Sequence, residues 1–243
     1  MKTEQPGIII PTRQEVTDLL FSFCDQEENR SWVKHSFCVG DTAARIATAI
    51  NKAAINNATT DQSTVNNTTN PNHSSSPTIT KPSNAPAGPL LNPAQLVLLG
   101  YLHDIGRSVY LTGPLGLHLR AGYDLLRARG YAPEYCAICL THSFIGPNPH
   151  SNLCSALDPE RDAFVIDFVS RHPYSLAEDL ISLCDLMCKT RVVSIDERIA
   201  DATSRHGTCP ATASHIEKTY QLKAKFDALL GYDLYDLFPE ISS

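Results

Sequence analysis

Residues 94–106 read Ala-Gln-Leu-Val-Leu-Leu-Gly-Tyr-Leu-His-Asp-Ile-Gly. An apolar run ends in the ionisable pair His103-Asp104, followed at once by Ile105-Gly106. The run marks a buried segment. Two ionisable neighbours at its end are costly unless something offsets their desolvation. A metal ion does so when the pair is His and Asp. The alternative is a His-Asp pair that merely caps a helix.

Working outward, Asn92-Pro93-Ala94-Gln95 is a helix start, with Asn at the cap, Pro in the first turn and Gln three residues on. The helix runs to His103-Asp104 and stops near Gly106. Downstream, 107–117 reads as a loop, 118–129 as a helix ending at Gly130, and 133–142 as a helix opened by Pro133. A loop over 145–158 precedes helices over 159–171, 176–190, 194–207 and 211–230; Ser175/Glu178 and Ser194/Glu197 are capping pairs. Upstream, Thr12/Glu15 caps a helix over 12–24, and a second spans 31–54, where Gly40, Ala43, Ala44 and Ala47 let another helix approach closely. Ile8–Ile10 and Val192-Val193 are too short to read as strands. The expectation is an all-α fold, a single domain over 1–243 with eight or nine helices around one core.

Residues 56–89 interrupt it: 24 of the 34 are Asn, Ser, Thr or Pro, and only Asp61 and Lys81 are charged. Such a segment cannot bury enough apolar surface to offset its ordering entropy. It reads as a disordered insertion in a surface loop, and His73 inside it as irrelevant to any site.

Composition narrows the function. With a formal net charge of −6 and 19% charged residues, broad nucleic-acid binding is not indicated. No apolar stretch is long enough to span a bilayer, and the N-terminus lacks a signal-peptide core. The expectation is a cytoplasmic protein. The eight cysteines then read as reduced thiols; Cys136-Ala-Ile-Cys139 has CxxC spacing but lies in a helix with no second pair.

Five segments offer residues of metal-ligand type: His35, His103-Asp104, His118, His142 and Asp185. Asp185 sits in Leu180-Ile-Ser-Leu-Cys-Asp-Leu-Met-Cys188, where an unpaired carboxylate would tend to protonate. Coordination to a cation removes that penalty; pairing with Arg191 or Arg198 is the alternative. Each histidine alone could equally be a hydrogen-bonded core residue. Four His and two Asp together form a nitrogen-rich set that suits iron, manganese, zinc or another transition ion over magnesium.

In order and context these residues resemble the HD superfamily of metal-dependent phosphohydrolases, whose motif is H…HD…D. Leu102-His103-Asp104-Ile105-Gly106 is similar to the HDIG subgroup over five residues. With His118 and His142 between the HD pair and Asp185, the chain resembles the six-ligand version, including bacterial enzymes that split diadenosine tetraphosphate symmetrically. There too a glycine follows the third histidine, as in His118-Leu-Arg-Ala-Gly122. The resemblance covers roughly 30–200 and is interrupted by 56–89; the HD-GYP signature of cyclic-dinucleotide phosphodiesterases is absent.

The resemblance implies two divalent transition ions (iron, manganese or another), with Asp104 bridging them. His35, His103 and Asp185 complete one site, and His118 and His142 the other. It implies hydrolysis of a nucleotide, a dinucleotide polyphosphate or another small phosphate ester by an activated water, with Asp104 catalytic. A phosphate also needs cations. Arg107, one turn beyond His103, and Lys189, one turn beyond Asp185, are the first choices, ahead of Lys34 and Arg120. The loops 107–117 and 145–158 are expected at the entrance. Two other functions fit the same sequence: an HD-type di-iron oxygenase, and a non-catalytic helical interaction protein. The partner expected is a small phosphorylated substrate, with neither nucleic acid nor membrane.

Overall fold

A computed structural model describes residues 8–65 and 90–241. At its centre is helix α3 (Pro93–Leu102), in which every residue from Leu96 to Leu102 is buried. The Asn92 side chain accepts from the Ala94 and Gln95 amides, and Pro93 occupies the first turn. This is the start that the sequence predicts.

Eight other helices are described. They are α1 (Arg13–Phe21), α2 (Asn29–Val65), α4 (Leu115–Ala128), α5 (Pro133–Thr141), α6 (Ala163–Arg171), α7 (Leu176–Asp185), α8 (Ile195–His206) and α9 (Thr212–Leu230). A 3-10 turn over Ile105–Ser108 follows α3, and two more close the chain. The fold is all-α as expected. Among the described residues the only β pairings are the isolated bridges Ile9–Tyr131 and Cys188–Val192. Apolar residues from both sides of 56–89, among them Ile46, Ile50, Leu91, Leu99, Leu183 and Phe226, join one buried cluster. A smaller cluster of Leu119, Leu140, Phe144, Leu157, Val165 and Val169 joins α4 and α5 to α6. None of the described helices is long and apolar enough to cross a membrane.

The crossing of α2 over α3 sets the geometry of the site. A Cβ on Gly40 would lie 2.6 Å from the Val97 carbonyl oxygen, and one on Gly100 would lie 2.4 Å from the Gly40 Cα and backbone nitrogen. Two glycines thus face each other where the backbones meet. Alongside, Arg13 donates to the Tyr101 hydroxyl at 2.7 Å, and that hydroxyl donates to Asp41 at 2.9 Å. These bonds lock α1 onto the pair.

Several boundaries differ from the sequence reading. Helix α2 continues to Val65, past the expected break at residue 56. Neither Pro nor Gly occurs between Asp41 and Val65, so nothing in the backbone stops the helix there. The rest of the insertion, 66–89, lies outside the described residues. Helix α4 begins at Leu115, directly after Pro114, whose fixed φ suits a helix entry. Helix α6 begins at Ala163, after a turn capped by Asp158. Helix α7 ends at Asp185, because the Val193 amide bonds the Met187 carbonyl and the Cys188–Val192 bridge folds the chain back. That turn places Lys189 over α2.

Gly100→Ala should destabilise the protein by about 2 kcal/mol, the overpacking at α2 outweighing the helix propensity gained. Equilibrium urea unfolding would read this as a lower midpoint at unchanged slope. An unchanged midpoint would mean that the helices separate without cost.

Candidate metal centre

Five helices deliver polar side chains to one buried point. His35 comes from the second turn of α2, and His118 from the first turn of α4. His103 and His142 are the C-terminal caps of α3 and α5, and Asp185 is the last residue of α7. Asp104 follows His103 and begins the 3-10 turn that carries Arg107. Helix termini suit this task, because the chain turns away there and frees the side chain to face a common centre. All six candidate ligands are buried or nearly so.

Hydrogen bonds orient three of the rings. His35 Nδ1 donates to the Lys189 carbonyl at 3.1 Å, His103 Nδ1 to the Gly100 carbonyl at 2.6 Å, and His142 Nδ1 to the Ile138 carbonyl at 3.0 Å. A carbonyl can only accept, so each Nδ1 carries the proton, and in a neutral ring Nε2 is left with its lone pair. These lone pairs face carboxylate oxygens. His35 Nε2 is 3.0 Å from Asp185 Oδ1, and His142 Nε2 is 3.5 Å from Asp104 Oδ1. His103 Nε2 is 3.8 Å from Asp104 Oδ2, and His118 Nε2 is 3.4 Å from Asp104 Oδ1. Lone pair against carboxylate is repulsive unless a proton or a cation lies between them. Three of these atoms, His103 Nε2, Asp104 Oδ1 and His118 Nε2, are buried without any hydrogen-bond partner. Unsatisfied buried polar atoms of this kind are rare in folded proteins.

The donor set fits a metal. Ligand atoms of His35, His103 and Asp104 lie within 4.8 Å of one another, as do those of Asp104, His118 and His142, and those of His103, His142 and Asp185. Asp104 belongs to two of these groups. The Nδ1-to-carbonyl bonds are the outer-shell contacts that fix the tautomer of a ligating histidine.

The electrostatics agree. Burial pushes His103 down to about 3, against the opposing charge of Asp104. Burial also lowers His118, although its contact with Asp104 works the other way. Both therefore stay neutral, as ligation requires. Burial alone would raise the Asp104 carboxyl. The Arg107 guanidinium, whose Nε donates to Oδ2 at 2.5 Å, is the largest influence that holds it well below the usual range. Burial likewise opposes ionisation of Asp185. The contact with His35 and the charge of Arg198 overcome it and hold this carboxyl low. Arg198 reaches Asp185 Oδ1 at 3.3 Å and its backbone oxygen at 3.1 Å. The two readings of Asp185, a cation ligand or an Arg partner, are therefore compatible.

The glycine of the His-Asp-Ile-Gly run has a packing reason. A Cβ on Gly106 would lie 1.9 Å from the His118 carbonyl oxygen and 2.6 Å from the Gly122 nitrogen. Gly122 in turn sits against Gly106 and the Cys139 thiol. The two glycines let α4 lie directly on the turn after Asp104, which brings His118 within reach.

The centre opens into a cavity of about 640 Å³. Arg107, Lys189, Arg198 and Arg205 line it, as do parts of both expected entrance loops. Lys189 pairs with Glu197 at 3.5 Å and Asp201 at 3.6 Å. Of the lesser candidates, Lys34 lines a separate cleft, and Arg120 bonds Asp124 and covers the Phe164 ring. His150 is exposed and does not line the cavity; His73 lies outside the described residues. Cys136 and Cys139 are buried, their thiols pushed up by burial, Cys136 to about 11. Sequence reasoning did not place Ser182, Asp201, Arg205, His206 or His215 at the cavity. A signal existed for α8, since Arg198, Asp201 and Arg205 recur at one-face helical spacing.

The family model for the HD domain matches residues 32–187. The match contains all six candidate ligands and ends before α8 and α9. No curated protein and no solved structure matches the chain.

The metal-free protein should lose stability as pH falls from about 6.5 towards 3. In that window the unfolded chain protonates His103 and His118 near their ordinary value of 6.5, while the folded chain resists. Each fully buried group contributes a slope of up to about 1.4 kcal/mol per pH unit. Asp104 and Asp185 act in the same sense lower down: their contribution is present above 3.8 and is lost as pH falls further. Chemical unfolding in chelator at pH 7, 6 and 5 should show the trend, and His103→Gln should flatten it. An equal slope in the variant would mean that His103 is not kept neutral by burial.

Proposed function

The chain belongs to the HD domain family, a superfamily of metal-dependent phosphohydrolases, and we propose that it hydrolyses a nucleotide, a dinucleotide polyphosphate or another small phosphate ester. One observation carries this reading: histidine lone pairs and carboxylate oxygens converge, buried and partly unpartnered, at the floor of a cation-lined cavity.

His35, His103, Asp104 and Asp185 would hold one ion, and His118, His142 and the shared Asp104 a second. The nitrogen-rich set favours iron, manganese or another transition ion. When bound, such ions supply Lewis acidity towards a phosphoryl oxygen and acidify water. The remaining work falls to the chain. Arg107 has its Nε on Asp104, which leaves its terminal Nη groups for a phosphoryl oxygen. Lys189 has only long ion pairs, at 3.5 and 3.6 Å, and can exchange them for an anionic substrate. Arg198 holds Asp185 in place and acts through it. The cavity is within the size range of small-molecule sites. The eight free cysteines support a compartment that keeps thiols reduced, and we place the enzyme in the cytoplasm.

Protein loaded with iron, manganese or zinc should release phosphate, or split the polyphosphate chain, on part of a panel of phosphomonoesters, phosphodiesters and dinucleoside polyphosphates. Asp104→Asn should lower kcat by about 10³-fold, and Arg107→Ala by about 10²-fold. Lys189→Ala should chiefly raise KM. A folded, metal-loaded protein that leaves the whole panel intact would refute the reading.

A further inference from the structure

The cavity has two chemically different walls. The metal centre and the cations Arg107, Lys189, Arg198 and Arg205 make one. The other is polar and carries no cation among its lining residues, built from α7, α9 and the loop after α5. Two side chains there have unspent hydrogen-bonding capacity.

Ser182 lies one turn before Asp185 on α7. It lines the cavity at 2% exposure, and its hydroxyl oxygen is buried with no partner. His215, on the first turn of α9, also lines the cavity and is 3% exposed. Its Nδ1 donates to the Ser151 carbonyl at 3.2 Å. The ring is therefore anchored with Nε2 as an acceptor, and no partner for Nε2 occurs among the described residues. Burial lowers the His215 pKa, which keeps that lone pair available. His215 belongs to none of the candidate ligand groups.

The surroundings hold these groups in place and do not compete for them. Thr212 Oγ1 donates to the Leu153 carbonyl at 2.6 Å, tying the start of α9 to the loop. Asn152 Nδ2 donates to the Ser143 carbonyl at 3.0 Å, and its Oδ1 accepts from the Cys154 and Ser155 amides. The Asn152 amide oxygen and nitrogen are thus both engaged in the wall. Ser182 and His215 remain as a donor–acceptor hydroxyl and a pure acceptor, with Asp185 the nearest charge on α7.

We propose that Ser182 and His215 form a specificity subsite for the uncharged part of the substrate, taking a hydrogen-bond donor such as a sugar hydroxyl or nucleobase amine of a nucleoside. This rests on the phosphohydrolase reading for the other half of the cavity. His215 lies beyond the segment matched by the family, so this wall is supplied in part by the chain's own C-terminal helices.

The test is calorimetric binding to the full chain reconstituted with zinc, using AMP, phenyl phosphate and inorganic phosphate as probes. Phenyl phosphate carries an organic group without hydrogen-bond donors. Wild type should bind AMP at least about tenfold more tightly than phenyl phosphate. His215→Ala and Ser182→Ala should each erase most of that preference while leaving inorganic phosphate binding and zinc content unchanged. His215→Gln, which keeps an acceptor, should retain part of it. Equal affinities in wild type, or a preference that survives both alanine variants, would overturn the subsite. Loss of zinc from His215→Ala would also overturn it, by assigning the residue to the metal centre. A chain that discriminates AMP through His215 but does not bind inorganic phosphate would refute the phosphohydrolase reading alone. One that binds inorganic phosphate but not AMP would refute the subsite alone.

Discussion

The Asp104 carboxylate is buried to 3% exposure among His103, His118 and His142, and Arg107 keeps it ionised there. Desolvation of a carboxylate is expensive, and a neutral acid would be its ordinary escape. Arg107 prevents that from the solvent side. The histidines do not solve the problem on the inner side, because His103 and His142 have spent their single N–H on the carbonyls of Gly100 and Ile138. What these two rings turn toward Asp104 is a pair of lone pairs. A cation would relieve the repulsion that the backbone carbonyls have built in. The carbonyl anchors are therefore as much part of the centre as the ligands are.

Such a centre needs five helices to meet closely, and glycine makes the meeting possible at two places. Gly40 and Gly100 let α2 and α3 cross in backbone contact, which brings His35 beside His103, their ring centroids 5.2 Å apart. Gly106 and Gly122 let α4 rest on the turn after Asp104 and bring His118 in. Packing and chemistry are thus coupled. The small residues contribute nothing to coordination, yet a methyl group at Gly40, Gly100 or Gly106 would push a ligand-bearing helix away, and one at Gly122 would press on Cys139 and the Gly106 amide.

The helices and the candidate ligands that converge in the structure were legible in the sequence because both leave local marks. Asn92-Pro93, Thr12/Glu15 and Ser175/Glu178 announce helix starts through capping chemistry that acts over four residues. His103-Asp104 and Asp185 stand out because ionisable groups within apolar runs need an explanation. The extension of α2 to Val65 was not legible, since polar composition argued for a break where only a helix-breaking residue would impose one. The early end of α7 depends on the bridge between Cys188 and Val192, which no local pattern announces. The far wall of the cavity was hidden for a different reason. Ser182 and His215 look like ordinary helix residues until tertiary packing leaves their polar atoms without partners. Arg198 was named as a partner of Asp185, but the sequence could not show that such a pair leaves room for a cation.

The most direct measurement is the transition-metal content of protein purified anaerobically without chelator, wild type against His118→Ala. The account predicts close to two equivalents in the wild type and a loss of about one in the variant, since in the proposed site His118 would serve only the ion shared with His142 and Asp104. One equivalent in both proteins would remove His118 from the centre and reduce the site to a single ion. No metal in either, even after reconstitution with iron, manganese or zinc, would contradict the central claim that a cation answers the buried lone pairs around Asp104.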